Sequence, residues 1–164
     1  MGDSQHTPSQ EGEHWRRASE LPEYVFSVWC KPARALNPVA VVATSDADGT
    51  PRTAPFGSLR AVTPRRLRLI SMGYHDTYAN LRRDGRVSVS LLAPPDIAVS
   101  VRGRARVIRE HMEVNRDSAV VEIDIEEVKN DMAGRIAIES GISISPRGGS
   151  REWFEAVLGE LEAM

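Results

Sequence analysis

The chain has 164 residues, of which 41% are hydrophobic and 27% charged, and its formal net charge is −2. This length and composition predict one globular domain, and the small net charge provides no overall electrostatic basis for binding nucleic acid. The single cysteine cannot form an internal disulfide, and the longest aliphatic run, residues 39–43, is too short to span a bilayer. We therefore expect a cytoplasmic protein without membrane segments.

The first 18 residues differ in composition from the rest of the chain. They are polar, contain Gly2, Pro8 and Gly12, and include few aliphatic side chains that could be buried. No internal repeat or low-complexity segment divides the remainder. We interpret residues 1–18 as a flexible N-terminal tail and residues 19–164 as a single domain with a C-terminal helix.

A short amphipathic helix is predicted before the first strand. Leu21, Val25 and Trp29 recur at helical spacing, and Pro32 prevents easy continuation of the helix. Cys30 lies in the same apolar segment, so we interpret it as a small buried hydrophobic residue.

A hairpin follows this helix. Residues 39–45 predict a mostly buried strand, and the Asp/Gly-rich turn at residues 46–49 leads into a second extended segment over residues 52–62. Pro55 and Gly57 interrupt the second segment, which favours an edge strand, a bulge or close approach of another group to the backbone.

Two more strands, residues 67–72 and 87–92, are predicted with a short helix between them. Asp76 or Thr77 is a suitable cap for this helix, which runs through Arg83. The helix therefore connects two strands of the same sheet.

The clearest alternation in the chain predicts the last two strands. Residues 99–107 alternate small or apolar side chains with arginines, and residues 119–127 alternate apolar side chains with acidic ones. Opposite charges on matching faces predict antiparallel pairing. The charged residues are Arg102, Arg104 and Arg106 on one strand and Glu122, Asp124 and Glu126 on the other.

The C-terminal region predicts a final helix. Its apolar positions are Trp153, Phe154, Val157, Leu158 and Leu161, with Ser150 as a plausible cap. The complete order of elements indicates a mainly β protein with short peripheral helices, in which six strands form a small closed sheet.

A nucleic-acid surface on the arginine strand is one alternative interpretation, because evenly spaced guanidinium groups match phosphate chemistry. The acidic face of the following strand would cancel the field of these arginines, and no aromatic residue lies between them to stack on bases. We therefore favour a structural role for them and expect no nucleic-acid partner.

The histidines give no clear catalytic or metal-binding pattern. His75 beside Asp76 could act as a general base, but a loop histidine next to a capping aspartate is the favoured interpretation. His6, His14 and His111 lack metal-ligand spacing, so no metal site is expected. Glycine-rich nucleotide loops and serine nucleophile motifs are also absent from the sequence, and we assign no catalytic residue.

Four segments in a fixed order carry a resemblance to a known family. They are residues 41–51 (VVATSDADGTP), 69–71 (LIS), 80–89 (NLRRDGRVSV) and 99–105 (VSVRGRA). Over residues 40–108 the chain resembles the pyridoxamine 5′-phosphate oxidase-like FMN-binding split-barrel proteins.

This resemblance implies an antiparallel, six-stranded split β-barrel that forms a homodimer with two flavin sites at the subunit interface. A helix amino end at Thr77 would offer N–H groups to the FMN phosphate. The flavin-binding positions carried over from the family are Thr53, Ala54, Pro55, Phe56, Gly57 and Ser58 on the second strand, Ile70, Ser71 and Met72 at the end of the third, and His75, Asp76 and Thr77 at the start of the helix.

The chain departs from the oxidase pattern at several of these positions. Oxidase members commonly have a basic pair where this chain has Asp76-Thr77, another arginine in place of Ala54, and a ring-contacting glutamine in place of Ala98. A carboxylate near a dianionic phosphate is repulsive unless other charges offset it. The arginines considered as compensation are Arg52, Arg82 and Arg83.

The resemblance thus implies a flavin-dependent oxidoreductase of a small substrate, with FMN as cofactor, and not a true pyridoxamine phosphate oxidase. The alternative is a non-enzymatic or non-FMN member of the same fold that binds a deazaflavin, haem or no ligand.

Overall fold

The computed structural model describes residues 15–164. The strands are β1 (Arg17–Ala18), β2 (Ala40–Ser45), β3 (Pro51–Phe56), β4 (Arg60–Thr63), β5 (Arg66–Met72), β6 (Arg86–Ala93), β7 (Ile97–Arg109) and β8 (Ser118–Asn130). The helices are α1 (Glu23–Trp29), α2 (Asp76–Arg83) and α3 (Arg151–Glu162), the last preceded by a short 3₁₀ turn at Gly148–Ser150.

The strands form one antiparallel sheet in the order β3-β2-β6-β7-β8-β5-β4, with β1 paired to β8. β3 and β4 lie at opposite ends of this order, yet only residues 57–59 connect them. A connection this short requires the sheet to curl until its two ends meet, which produces a barrel that is open between β3 and β4. The predicted mainly β, antiparallel fold with short helices is confirmed.

The number of strands differs from the prediction. The extended segment predicted over residues 52–62 is two strands, β3 and β4, separated at Gly57–Leu59, and β1 was not anticipated. The described region therefore contains an eight-stranded sheet. Pro55 and Gly57 marked the interruption, but their presence alone does not distinguish a bulge from a complete change of strand.

Of the predicted N-terminal tail, residues 1–14 lie outside the described residues. Residues 17 and 18 pair with β8, and the backbone N–H of Asn130 donates to the Arg16 carbonyl over 2.9 Å. The Trp15 indole donates to the Tyr24 hydroxyl over 3.0 Å. Residues 15–18 are thereby attached to both the sheet and α1.

The barrel interior is filled by the apolar faces of the strands and by α1. Val42, Val89 and Val101 are fully buried, and Val25 and Trp29 of α1 are buried against them. A second apolar cluster lies under α3, where Val157, Leu158 and Leu161 pack on Ile70, Met112 and Val120. Hydrophobic burial explains why α3 docks on the sheet, as its apolar pattern predicted.

Cys30 is exposed, so its interpretation as a buried residue was wrong. α1 ends at Trp29, and Cys30 is the residue that caps its carboxyl end. The 100° rotation per helical residue places it away from the buried stripe of Val25 and Trp29.

The charged faces of β7 and β8 pair as predicted. Arg104 lies opposite Asp124 and Arg106 opposite Glu122 in the antiparallel register. Arg106 reaches Glu122 over 2.8 Å and Arg104 reaches Glu126 over 3.2 Å. Burial opposes ionisation of Glu122, but hydrogen bonds from Arg106 and Arg68 keep the pKa of its carboxyl below the usual value. Arg104 and Arg106 are thus paired with the acidic strand, whereas Arg102 lies opposite Glu127 because the register shifts between residues 102 and 103.

Among the described helices, none is both long and apolar enough to cross a membrane.

Candidate functional site

The three segments assigned to the flavin site meet in space. The Ser58 hydroxyl accepts a hydrogen bond from the backbone N–H of Ile70 over 3.0 Å and lies 3.2 Å from the Ile70 carbonyl, which joins the end of β3 to β5. The rings of Phe56 and His75 make an edge contact with centroids 5.9 Å apart, which joins β3 to the start of α2. The fold therefore gathers residues that are distant in sequence at one end of the barrel.

Not all of the predicted residues are available to a ligand through their side chains. β3 is an edge strand on which Thr53 and Pro55 are exposed, while Ala54 is buried. Ser71 and Thr77 are also almost fully buried. At these three positions a ligand would reach backbone groups or neighbouring side chains.

Ala98 lies on β7 opposite Leu92, and its carbonyl accepts the backbone N–H of Asp131.

A cavity of about 280 Å³ lies beside the end of β3. Half of the predicted residues line it, and its opposite wall comes from two loops and from α3. The inner wall consists of Pro55, Phe56, Gly57, Ser58, Ile70 and Met72, and the opposite wall of Leu36, Ile144, Trp153, Phe154, Val157 and Leu158. Sequence reasoning missed the opposite wall; the apolar stripe of α3 predicted docking but gave no information on its position.

Gly57 allows the two walls to approach each other closely. A Cβ atom at this position would lie 2.7 Å from Ile144 Cδ1 and 3.1 Å from the Leu36 carbonyl. Asn37 holds Ile144 in place, because its amide nitrogen donates to the Ile144 carbonyl over 2.9 Å and its amide oxygen accepts the Ile144 N–H over 2.8 Å. Any larger residue at position 57 would displace this wall.

His75, and not Asp76 or Thr77, caps α2. Its Nδ1 accepts a hydrogen bond from the backbone N–H of Thr77 over 3.2 Å. An accepting Nδ1 places the proton of the neutral ring on Nε2. The predicted start of α2 is correct within one residue, but the capping group differs because an imidazole nitrogen can replace the usual side-chain oxygen.

A charged network joins the β2–β3 turn to the start of α2. Arg52 binds Asp46 over 2.7 Å and lies 3.8 Å from the Asp76 carboxylate. The buried Asn80 amide donates to Asp46 over 2.9 Å and to the Thr44 hydroxyl over 3.0 Å. Hydrogen bonds from Arg52 and Asn80 lower the pKa of Asp46 to about 2, so its carboxylate remains ionised at neutral pH.

This network determines how well the start of α2 suits a phosphate. Arg52 is shared between two carboxylates, so it offers little free positive charge to an anion. Arg83 donates to the Ser45 carbonyl and the Asn80 side chain, and Arg82 pairs with Glu110. Their backbones are near the carboxyl end of α2, roughly 7.5 Å (Arg82) and 9 Å (Arg83) along the helix from residue 77 at 1.5 Å per residue. The apolar cavity suits a planar ring, whereas the helix start is a poor match for a dianion in this charge arrangement.

Two buried cations lie behind the cavity, and neither was found from the sequence. Lys31 Nζ donates to the Gly57 carbonyl over 2.8 Å and lies 5.4 Å from the centre of the Trp29 ring. Arg60 donates to the Ser58 carbonyl over 3.0 Å and binds Glu162 of α3 over 2.6 Å. Burial, assisted by the charge of Arg60, lowers the pKa of Lys31 to about 7.

These cations set the path of the chain at residues 57–58 by holding two consecutive carbonyls. Isolated lysines and arginines give no sequence signal for such a role. Lys31 is distant in sequence from the Gly57 carbonyl, and Arg60, although close to Ser58, is also bound by Glu162 of α3. Of the histidines considered for metal binding, His6 and His14 lie outside the described residues, and His111 Nδ1 lies 2.7 Å from the Arg116 carbonyl.

Comparison with known families assigns the chain on the basis of its central region. The sequence profile described as pyridoxamine 5′-phosphate oxidase matches residues 30–132. The chain belongs to this family. The match includes every residue of the predicted flavin site and also Leu36, but it ends before Ile144 and α3, so most of the opposite wall of the cavity lies outside the matched region.

Several solved structures share the fold of this chain. A candidate pyridoxamine 5′-phosphate oxidase from Lactobacillus delbrueckii is 25% identical with a TM-score of 0.56, covering 70% of this chain and 98% of its own. An F420 reductase is 15% identical with a TM-score of 0.53, covering 68% and 100%. An FMN-binding protein from Syntrophomonas wolfei is 14% identical with a TM-score of 0.50, covering 64% and 84%. A search of curated proteins found no match.

Proposed function

We propose that this member of the pyridoxamine 5′-phosphate oxidase family is a cytoplasmic, homodimeric, FMN-dependent oxidoreductase of a small molecule. The convergence of the end of β3, the end of β5 and the start of α2 beside an apolar cavity carries this proposal. Bound FMN would supply the electron transfer, which requires no distinctive catalytic side chain from the protein. Pyridoxamine phosphate oxidase activity is not proposed, given Ala54, Asp76 and Ala98 at positions that commonly contact the cofactor.

The roles of the residues follow from their placement. Thr53 and Pro55 on the exposed side of the β3 edge would contact the flavin ring, with Phe56 and Met72 excluding water at its apolar end. The start of α2 would hold the ribityl phosphate through its backbone dipole, and Arg52 would offset part of the charge of Asp76.

A second copy of the chain would complete the site. β3 is a terminal strand of the sheet, so one of its edges has no neighbouring strand within the described protomer. The outward faces of β2, β6 and β7 carry small, half-buried side chains that allow another surface to approach closely. They are Ala43 opposite Ser88, and Ser90 opposite Ser100.

Titration with FMN and with riboflavin tests the proposal, because the two ligands differ only by the phosphate. Asp76→Asn should tighten FMN binding roughly fivefold, since one unit charge at ~4 Å in water contributes ~1 kcal/mol. Riboflavin affinity should not change. Asp84→Asn, at the far end of α2, serves as the matched control. Equal effects on both ligands would contradict the phosphate placement, and no binding of either would overturn the flavin proposal.

A second candidate function follows from the charges at the start of α2. Arg52 already serves two carboxylates there, which favours a planar ligand without a dianionic phosphate at this position, such as a deazaflavin or haem, or an empty site. Absorption spectra of freshly purified protein, followed by mass analysis of anything released on denaturation, distinguish these ligands from FMN.

A further inference from the structure

We propose that the cavity between Gly57 and α3 binds an uncharged aromatic molecule, with Trp153 and Phe154 as the residues that select it. This inference rests on the proposed function in one respect: the molecule would be the substrate of the flavin reaction. The binding itself depends only on the cavity and can be measured without any cofactor.

The lining of the cavity determines the chemistry of its ligand. None of the residues that line it carries a charge. The Ser58 hydroxyl is already engaged with the Ile70 backbone, and the sulfur of Met72 lies 3.4 Å from the Ser118 hydroxyl. A carboxylate or phosphate in this cavity would lose its hydration without gaining a partner, which is strongly unfavourable. The cavity therefore selects against anions, unlike a site for a phosphorylated vitamin.

Its size restricts the ligand further. The volume of about 280 Å³ is at the lower limit of typical small-molecule pockets, which start at roughly 300 Å³. Such a space accommodates one or two fused rings but not a nucleotide. A flavin on the exposed edge of β3 and a small ring in the cavity would lie next to each other beside Pro55 and Phe56, because these two residues belong to both surfaces.

Two aromatic side chains at the start of α3 form the outer part of the wall. The rings of Trp153 and Phe154 lie edge to face with centroids 4.9 Å apart. Trp153 is 36% exposed, and its indole N–H makes no hydrogen bond within residues 15–164. It is therefore available to a neutral acceptor such as a ketone oxygen. Aromatic pairs of this type offer flat apolar surface to a further ring.

The rest of α3 holds this wall in position. Val157, Leu158 and Leu161 are at most 1% exposed. The Glu160 carboxylate accepts the backbone N–H groups of Val114 and Glu113 over 2.9 and 3.1 Å. The first turn of α3 is thus a partly exposed extension of an anchored helix. A pre-positioned wall binds a ligand with little loss of conformational entropy.

The test compares two probes of the same shape, 2-acetylnaphthalene and 2-naphthoate, by calorimetric titration of the full chain without cofactor. The neutral ketone should bind at least tenfold more tightly than the carboxylate. Trp153→Ala should weaken ketone binding at least fivefold, and Phe154→Leu, which preserves apolar volume and the fold, should weaken it about twofold. Ile136→Ala is the matched control, because Ile136 is 60% exposed and does not line the cavity.

Repeating the titration with FMN separates the two proposals. Ketone binding that persists with FMN bound supports both the cavity proposal and the flavin proposal. Ketone binding in a protein that fails to bind FMN supports the cavity proposal and rejects the flavin. The inference is overturned if the ketone does not bind or if both probes bind with equal affinity. It is also overturned if FMN completely displaces the ketone, because the cavity would then belong to the flavin ring itself.

Discussion

Lys31 should make the stability of this protein depend on pH above neutrality. Its side chain is only 9% exposed, and its environment lowers its pKa from 10.5 to about 7 through burial and the charge of Arg60. Within residues 15–164, Glu162 forms an ion pair with Arg60, and Lys31 forms none. Between pH 7 and 10.5 the unfolded chain therefore retains a proton on Lys31 that the folded chain has lost.

The sign and size of the effect follow from proton linkage. Stability rises with pH wherever the unfolded state binds more protons, so the free energy of unfolding should increase as the pH rises above 7. With ~1.4 kcal/mol for each pKa unit, the increase from pH 7 to pH 9 is roughly 2 kcal/mol. For a chain of this length it corresponds to a rise in Tm of roughly 4–8 °C.

Urea denaturation of the wild type and of Lys31→Met at pH 7, 8 and 9 measures this contribution. Methionine preserves the apolar length of the side chain and removes its titration, while every other titrating group is unchanged. The free energy of unfolding of the wild type should increase from pH 7 to pH 9. When each protein is compared with its own value at pH 7, this increase should be absent or reversed in sign in the variant. An equal rise in both proteins would show that Lys31 remains protonated in the fold and would refute the reasoning.

Three further substitutions test the packing around the site. Gly57→Ala should lower the free energy of unfolding by ~1–3 kcal/mol, because the added Cβ would lie 2.7 Å from the Ile144 Cδ1 methyl. Gly149→Ala is the control, since a Cβ there would meet no atom within 4 Å, and it should have no comparable effect in the same urea titration. Asn80→Ala should cost ~1–3 kcal/mol, since it leaves buried hydrogen-bonding groups without partners; an unchanged urea midpoint would contradict this. Glu162→Gln should lower Tm by removing the carboxylate of the buried Arg60, and a Tm equal to that of wild type at both low and high salt would contradict the ion pair.

Most of the secondary structure could be predicted from the sequence because the patterns are local. The alternating charges of residues 102–106 and 122–126 indicated two strands and their antiparallel pairing, since each side chain on one face meets its partner across 4.5–5.5 Å of sheet. Similarly, apolar spacing predicted α1 and α3. Cys30 was misassigned because a helix end one residue earlier rotates the next side chain out of the buried stripe.

The candidate site was predictable only where the family pattern covers it. The resemblance identified the inner wall and the start of α2, but not the groups that control them. The capping nitrogen of His75 and the shared charge of Arg52 depend on side-chain positions that no local pattern specifies. Homodimerisation remains a prediction, and the placement of FMN remains a proposal that the FMN and riboflavin titrations test.

Taken alone, the order of residues determined which segments are strands and helices, which faces are apolar, and which family the central region resembles, because all three depend on spacing along the chain. Only the tertiary structure decided that α3 closes the cavity beside β3, and that Lys31 and Arg60 hold the carbonyls of residues 57 and 58. The contacts of α3 and of Lys31 join segments far apart in sequence, and Arg60, which is close to residue 58 in the chain, is bound by Glu162 of α3. Their geometry depends on how the whole sheet curls, which no single segment specifies.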